Sequence, residues 1–483
     1  MKRKMKQVLW IAAALSLAAA GCGVRTDSEP AQTQTEPSQM PETSETDRQE
    51  EPAAEEPDAA EPIPTEPETE AQEGGKRMIL MTDMHYLDPS LTDGGSAFQN
   101  MVEHGDGKLV NYIEEIIDAA FDEAVSQNPD VLILSGDLTL NGEKESHKGL
   151  AKKLKNVEKR GVEVVVIPGN HDINNPNASG FEEDGVYPAG SISAKEFASI
   201  YRDFGYGESY SRDSHSLSYT YDLDDEYRLL MLDTCQYDPV NKVGGVIDTD
   251  TYYWIEQQLE EAEEEGRTIL PVAHHNLLDE SEIYVQDCTI EHSSQLINLL
   301  ESYNLSLFLS GHLHVQHFMQ NKDIGIYEIV TSSLATPPCQ YGVLEYRRDG
   351  SFSYRTQAVD MENWAREEGM EDENLLDFKD YNPKTLKRIF YNQAWDAMER
   401  GESRKNASLY RHLTQEEKEA MCQVYSELNT AWYAGKAVNV VQEAQRMPGY
   451  LLWQEYCYPL QQYDHLEMIV RDAVRDYNSL EVD

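Results

Sequence analysis

The segment VEVVVIPGNHD, residues 162–172, contains the pattern that decides the fold. Its first six residues are mainly β-branched and apolar, which is typical of a buried strand. The strand pattern stops at Pro168, and Gly169-Asn170-His171-Asp172 follows directly. Side chains with metal-binding or acid–base chemistry therefore stand immediately after an apolar strand, which is where ligands bind in layered α/β folds.

The same arrangement occurs at four other places in the chain. Short apolar runs lead into Asp83-x-His85, Gly136-Asp137, His274-His275 and Gly311-His312-x-His314. Segments with helical spacing of apolar residues lie between these runs, among them residues 109–125 and 251–264. Strand–loop–helix repetition of this kind predicts a layered α/β fold over residues 77–358.

The polar residues at the five strand ends form a consistent set of metal ligands. Carboxylates and imidazoles together suit borderline ions such as Mn, Fe or Zn. The glycines beside them permit tight turns and close approach of the backbone. Each motif is weak alone, but five in this order, each after a strand, predict a metal site.

The order of these motifs resembles that of the calcineurin-like metallophosphoesterase superfamily, and the resemblance covers residues 77–345. It implies a four-layer fold, two β-sheets flanked by helices, with a binuclear site at the strand ends. It implies a first metal bound by Asp83, His85 and His314, and a second bound by Asn170, His274 and His312. Asp137 would bridge the two ions, which are expected to be Mn, Fe or both, with Zn as the alternative.

Two residues in these motifs leave alternatives open. Either histidine of the His274-His275 pair fits the ligand position. His274 is preferred because the first histidine of such pairs is usually the ligand in this superfamily, and His275 then orients it or lines the pocket. Outside the motifs, His215 and His317 are candidates for substrate contact at the pocket mouth, since binding residues favour loops.

The resemblance also implies a mechanism. Two cations about 3.5–4 Å apart lower the pKa of a bridging water, and the resulting hydroxide attacks phosphorus in line. His171 resembles the histidine of the superfamily that stabilises the transition state or protonates the leaving oxygen. Asp172 is interpreted as holding the His171 ring in orientation, with a turn cap as the alternative.

The substrate class is predicted from a narrower resemblance. Gly136-Asp137-Leu138-Thr139 and residues 169–174 look like the exported cyclic-nucleotide phosphodiesterase branch, which implies a small cyclic or similar diester as substrate. The alternatives are a phosphomonoesterase or nucleotidase and a phosphodiesterase of wall or lipid polymers. A non-catalytic surface-binding lipoprotein is the alternative from another class, and it predicts missing ligands, whereas all seven positions are filled.

Residues 1–22 have the pattern of an export signal. A basic stretch precedes an apolar run, and Ala19-Ala20-Gly21-Cys22 resembles a bacterial lipobox. The pattern predicts a signal peptide, a lipid-modified Cys22 and an anchor at the outer face of a bacterial membrane. Residues 23–76 are rich in Glu, Pro and Thr and lack apolar periodicity, so a disordered acidic tether is expected there.

The chain beyond the strand-rich part has a different character. Aromatic residues recur at helical spacing after residue 359, and Thr414-x-x-Glu417 is typical of a capping box. An all-α C-terminal domain is therefore expected over residues 359–483. The formal net charge of −48 excludes duplex nucleic acid as a partner, because such a surface repels phosphate backbones.

Overall fold

The computed structural model describes residues 75–402, 412–456 and 461–483. The predicted signal peptide, Cys22 and nearly all of the predicted tether lie outside the described residues. Within those three ranges, no helix combines the length and the apolar character needed to cross a membrane.

Fifteen strands and thirteen α-helices are distinguished in the described ranges. The strands are β1 Gly75–Met81, β2 Val131–Ser135, β3 Glu163–Ile167, β4 Ser179–Glu182, β5 Gly185–Pro188, β6 Ser211–Arg212, β7 Tyr219–Asp222, β8 Tyr227–Leu232, β9 Thr268–Ala273, β10 Leu307–Ser310, β11 His317–Gln320, β12 Tyr327–Val330, β13 Gln340–Arg347, β14 Phe352–Ala358 and β15 Ser479–Val482. The helices are α1 Ser96–His104, α2 Ile113–Ser126, α3 Lys144–Lys159, α4 Ala194–Ile200, α5 Thr249–Glu265, α6 Ser294–Ser302, α7 Met361–Glu367, α8 Glu373–Leu376, α9 Phe378–Glu402, α10 Gln415–Tyr433, α11 Val441–Ala444, α12 Pro448–Tyr456 and α13 Gln461–Asp472.

The strands form two large sheets and one small hairpin. The first sheet has the order β15-β14-β13-β1-β2-β3, and the second has the order β11-β12-β10-β9-β8-β7-β6. Strands β1, β2 and β3 are parallel neighbours, as are β8, β9, β10 and β12. Each sheet therefore has a parallel centre whose strand ends share one edge.

The two sheets pack face to face, and helices cover their outer faces. Along β8, Leu229 and Met231 belong to the core shared with the first sheet, whereas Leu230 and Leu232 pack with α5 and α6. Apolar residues of α2 and α3 complete the core on the other side of the first sheet. The predicted four-layer α/β architecture is confirmed.

The C-terminal region is helical from α7 through α13 and has its own core. The predicted capping box is present: Thr414 Oγ1 accepts a hydrogen bond from Glu417 N at 3.2 Å, and the Glu417 carboxylate accepts one from Thr414 N at 2.7 Å. The prediction of an all-α region is wrong at its end, because β15 returns to pair with β14. This strand has only four residues and is stabilised by its neighbour, so its own pattern gives no strand signal.

The helical region packs directly against the loop that follows β10. Val315 is buried within the helical core, and Gln316 N donates to the Tyr433 carbonyl at 3.0 Å. A buried ion-pair cluster adjoins this contact. The ring of His317 faces Glu280 through Nδ1 and Asp472 Oδ1 through Nε2, the latter at 2.9 Å. The two parts of the chain are therefore joined by charge as well as by apolar packing.

Replacement of His317 is expected to lower the stability of the protein more at low pH than at high pH. Burial opposes protonation, but Glu280 and Asp472 raise the pKa of His317 from 6.5 to about 10. The stabilisation is therefore complete below pH 6.5 and is lost as pH rises through about 10. Near pH 6, His317→Gln is expected to lower the free energy of unfolding by about 3–5 kcal/mol, since the buried carboxylate of Glu280 and the partly buried one of Asp472 lose a cationic partner.

Thermal denaturation of the full chain and the variant between pH 6 and 10 measures this effect. The difference in melting temperature is expected to shrink as pH rises. His215→Gln is the matched control, because His215 has a half-exposed side chain. A difference for His317→Gln that stayed constant over the whole range would contradict the ion-pair explanation.

Candidate metal centre

The seven predicted ligands lie in loops that leave the carboxyl ends of five strands. Asp83 and His85 follow β1, Asp137 follows β2, and Asn170 follows β3. His274 follows β9, and the pair His312 and His314 follows β10. The first three loops belong to one sheet and the last two to the other, so the packing of the sheets brings the whole set together.

One group consists of Asp83, His85, Asp137 and His314, whose ligand atoms all lie within 4.8 Å of one another. His314 Nε2 lies 3.2 Å from Asp83 Oδ1 and 3.1 Å from His85 Nε2. His85 Nε2 is also 3.8 Å from Asp137 Oδ2. Two imidazole nitrogens and two carboxylate oxygens thus converge on one point.

A second group consists of Asp137, His274 and His312. His274 Nε2 lies 3.5 Å from Asp137 Oδ2 and 3.2 Å from His312 Nδ1. Asn170 belongs to the same place, since its Oδ1 is 3.2 Å from His274 Nε2. Asp137 Oδ2 is therefore common to both groups, which is the position of a bridging ligand between two ions.

Hydrogen bonds to the opposite ring nitrogen fix the direction of His274 and His312. The Nδ1 atom of His274 faces the Ser135 carbonyl at 2.9 Å, which leaves Nε2 for the centre. In His312 the roles are reversed, because Nε2 faces the Asp287 carbonyl at 2.9 Å. Such partners set the tautomer and the orientation of a metal-binding imidazole.

The backbone of the site is strained. Asp83, His85, Asp137, His312 and His314 all have φ between +45° and +70°. This left-handed region is uncommon for residues other than glycine, and each such residue costs on the order of 1–3 kcal/mol. Five strained ligands in one cluster indicate that the fold maintains a geometry for binding rather than for stability.

The electrostatics of the cluster favour cations. Burial opposes protonation of His274, but the carboxylates of Asp137 and Asp83 raise its pKa to about 9. Asp83 Oδ1 is buried without a hydrogen-bond partner, although Asp83 Oδ2 accepts bonds from Thr82 Oγ1 and His312 N. A buried carboxylate oxygen left open toward three other ligand atoms fits a metal ion. The donor set of imidazole, carboxylate and amide suits two ions of the Mn, Fe or Zn type.

The choice between His274 and His275 follows from their ring partners. Both nitrogens of His275 are engaged elsewhere, Nδ1 with Thr234 Oγ1 at 2.7 Å and Nε2 with the Val243 carbonyl at 2.8 Å. The ring is fully buried and packs on His312 with centroids 4.5 Å apart. His275 therefore packs behind the ligand loops, whereas His274 presents Nε2 to the other ligand candidates.

His171 lies at the edge of the site. Its Nδ1 donates to the Leu140 carbonyl at 2.8 Å and lies 3.1 Å from Asn141 Oδ1. Its Nε2 is directed toward the ligands, 3.9 Å from Asp137 Oδ2. The side chain remains 25% exposed, so part of the ring is open to solvent.

The interpretation that Asp172 orients the His171 ring is wrong. The Asp172 carboxylate accepts hydrogen bonds from Leu138 N at 3.0 Å, Thr139 N at 2.9 Å and Gly169 N at 2.9 Å. Burial raises its pKa to about 7, with Asp137 acting in the same direction. Asp172 is thus a turn cap that ties the loop carrying Asp137 to the loop carrying Asn170.

The predictions of substrate contact for His317 and His215 are not supported by their surroundings. His317 is only 4% exposed and holds Glu280 and Asp472 together. His215 lies 3.6 Å from Asp213 and 3.7 Å from Asp250, and Asp250 is in the first turn of α5. Each ring therefore pairs with carboxylates that do not belong to the seven metal-ligand candidates.

Three residues near the site were missed by the sequence analysis. Asn141 faces the His171 ring, and Asn241 Nδ2 donates to the Asn170 carbonyl at 2.8 Å. Lys108 is buried close to the ligand loops and pairs with Asp106 at 2.6 Å. The only signal for Lys108 in the sequence is the glycine-containing segment Gly105-Asp106-Gly107-Lys108, which has no specific spacing to the ligands.

Metal content is expected to respond differently to loss of the shared and the unshared ligands. In the full chain equilibrated with Mn²⁺, Asp137→Ala is expected to lose both metal equivalents, because Asp137 Oδ2 belongs to both groups. His85→Ala is expected to lose about one equivalent. Elemental analysis after gel filtration measures both values, with His215→Ala as the control. Two equivalents retained by Asp137→Ala would contradict the shared-ligand arrangement.

Comparison with known proteins gives matches over both parts of the chain. The family described as calcineurin-like phosphoesterase matches residues 76–316, and the C-terminal domain of cyclic nucleotide phosphodiesterase matches residues 360–476. A protein of Vesicomyosocius okutanii named probable cyclic nucleotide phosphodiesterase is 24% identical over 238 residues, which are 49% of this chain and 78% of that protein.

Solved structures give matches at lower identity. A dimetal phosphatase from Danio rerio is 12% identical with a TM-score of 0.42, over 59% of this chain and 97% of that one. A purple acid phosphatase from yellow lupin, Lupinus luteus, is 13% identical with a TM-score of 0.38, over 60% of this chain and 52% of that one.

The first family match spans every one of the seven ligand positions, from Asp83 to His314. The second begins where the helical region begins, next to Met361. The chain therefore belongs to the calcineurin-like phosphoesterase family and is a hydrolase of phosphoric esters.

Proposed function

We propose that the protein is a two-metal phosphodiesterase that hydrolyses cyclic nucleotides or similar small diesters. The observation that carries the proposal is the sharing of Asp137 Oδ2 by two ligand groups, with His171 Nε2 at the same edge. Two ions in such a site, here Mn or Fe with Zn as the alternative, supply Lewis-acid activation of water and of phosphate oxygens. The protein supplies their spacing and the groups around them.

His171 is proposed as the group that handles the proton of the leaving oxygen. The hydrogen bond from Nδ1 to the Leu140 carbonyl keeps a proton on Nδ1, so Nε2 is the atom presented to substrate. Burial lowers the pKa of His171, although Asp137 acts in the opposite direction. The protonated ring is therefore a stronger acid than a free imidazolium, which suits transfer of the Nε2 proton to a departing alkoxide.

Two findings support a diester substrate. The helical region matches the C-terminal domain of cyclic nucleotide phosphodiesterase, and the relative from Vesicomyosocius okutanii carries the name of that activity. Both parts of this chain thus match proteins whose names refer to cyclic nucleotides or to phosphoesters. The fold and the metal ligands alone do not choose the leaving group, so the substrate class is tested directly.

The proposal extends to the location of the enzyme. The pattern of residues 1–22 supports export and lipid attachment at Cys22, at the outer face of a bacterial membrane. In the producing bacterium, the protein is expected in the membrane fraction, and Cys22→Ser is expected to move it to the soluble exported fraction. An unchanged distribution of the variant would contradict the lipid anchor.

Substrate preference is tested with the full chain loaded with Mn²⁺. We expect cleavage of bis-p-nitrophenyl phosphate and of 3′,5′-cyclic nucleotides to exceed that of p-nitrophenyl phosphate, and EDTA to abolish all of them. A preference for the monoester would make the protein a phosphomonoesterase instead. Activity that survives removal of the metals would contradict the two-metal mechanism.

His171→Ala is expected to separate catalysis from metal binding. Loss of a general acid typically lowers kcat by about 10²–10⁴-fold, whereas the seven ligands remain in place. Turnover of the diester and metal content are measured on the same preparation, and His215→Ala is the control that keeps both. If His171→Ala lost its metals as well, His171 would be a ligand and not an acid.

A further inference from the structure

Lys108 is a buried cation next to the candidate metal centre. The residue is 8% exposed and lies between α1 and the short helix Val110–Tyr112. Its neighbour Leu109 donates through N to the Ala335 carbonyl at 2.7 Å, and Ala335 N donates to the Asp83 carbonyl at 3.3 Å. Two backbone hydrogen bonds therefore connect the lysine loop to the loop of a metal ligand.

The charge of Lys108 acts on the site itself. Burial lowers the pKa of both His85 and His171, and the positive charge of Lys108 acts in the same direction. Its partner Asp106 has a side chain that is 43% exposed, whereas the side chain of Lys108 is 7% exposed. The carboxylate of the pair therefore lies at the surface, and the ammonium group lies inside the loop.

An ammonium group in this position is unfavourable without an anion. Two metal ions would repel it, and burial removes the water that would solvate it. Asp106 Oδ2, at 2.6 Å, occupies one of its three donors and leaves two available. A phosphate oxygen would satisfy such a donor, and lysine binds phosphate as a point charge.

The helical region holds the lysine loop in place. Gly107 has φ of +104°, and a Cβ atom there would lie 2.7 Å from Leu386 Cδ1 of α9. Leu386 is fully buried in the helical core. Arg388 Nη1, two residues further along α9, donates to the Glu103 carbonyl at 3.3 Å. The loop therefore lies between the metal centre on one side and α9 on the other.

We propose that Lys108 binds a nonbridging phosphate oxygen of the substrate, and that the C-terminal helical region positions it for this contact. The inference rests on the proposed function only in requiring a phosphoester substrate. It gives the helical region a specific task at the site, and it adds a substrate-binding residue outside the seven ligands.

The test compares charge variants in the full chain loaded with Mn²⁺. Lys108→Met keeps the apolar stem and removes the charge, whereas Lys108→Arg keeps the charge. We expect Lys108→Met to keep both metal equivalents, and to raise KM for bis-p-nitrophenyl phosphate and Kd for inorganic phosphate by about tenfold or more. Lys108→Arg is expected to recover most of the affinity. Lys148→Met is the matched control, because Lys148 is exposed and pairs with Glu145 on the same helix.

The outcomes separate this inference from the proposed function. An unchanged phosphate Kd in Lys108→Met, or a loss of metal, would overturn the assignment of Lys108. Calorimetric titration with inorganic phosphate needs no turnover, so a weakened Kd supports Lys108 even if cyclic nucleotides are not cleaved. In that case the substrate class fails and the phosphate contact stands.

A second variant tests the positioning by the helical region. Gly107→Ala places a methyl group against Leu386 and is expected to weaken phosphate binding with both metals retained. Gly161→Ala is the control, since Gly161 has φ of +97° and a Cβ there meets nothing within 4 Å. Wild-type phosphate affinity in Gly107→Ala would overturn the positioning role of the helical region.

Discussion

The shared carboxylate oxygen of Asp137 is the constraint on which the rest of the site depends. It lies 3.8 Å from His85 Nε2 and 3.5 Å from His274 Nε2, and these two histidines come from different sheets. A relative shift of the sheets by even one side-chain row would separate the two ligand groups. The apolar core between the sheets therefore fixes a distance between functional groups as well as the stability of the fold.

The ligand geometry is strained, and a few polar contacts maintain it. Asp172 ties the loops after β2 and β3 together through three backbone amides. Gly169 approaches Asp137 so closely that a Cβ atom would lie 2.1 Å from Asp137 N. The cost of each left-handed ligand is thus offset by neighbours that leave no alternative backbone path. This explains why glycines and a buried aspartate accompany the ligands without binding metal themselves.

The sequence predicts the local features of this protein well and the long-range ones poorly. The strand-end ligands were predicted because the side chain and its strand are adjacent in the chain. The choice of His274 agrees with the position of its Nε2 beside Asp137 and Asn170. Asp172 was misinterpreted because its partners are backbone amides, which look alike in any sequence. The ion-pair cluster at His317 depends on Asp472, which is 155 residues away in the chain. Strand β15 likewise depends on its pairing with β14. Tertiary packing alone creates such contacts.

The overall charge of the chain makes the site's local charge decisive. A net charge of −48 repels an anionic substrate, and the long-range field slows its approach. Two metal ions held by the seven ligand candidates would reverse the sign within the pocket, and the carboxylates of Asp83 and Asp137 would partly neutralise their field. A lysine held beside the ions by the helical region adds positive charge where the phosphate enters. The helical region then contributes to function through the position of one loop, and the contacts of its α9 with the Lys108 loop belong to the same arrangement as its packing against the loop after β10.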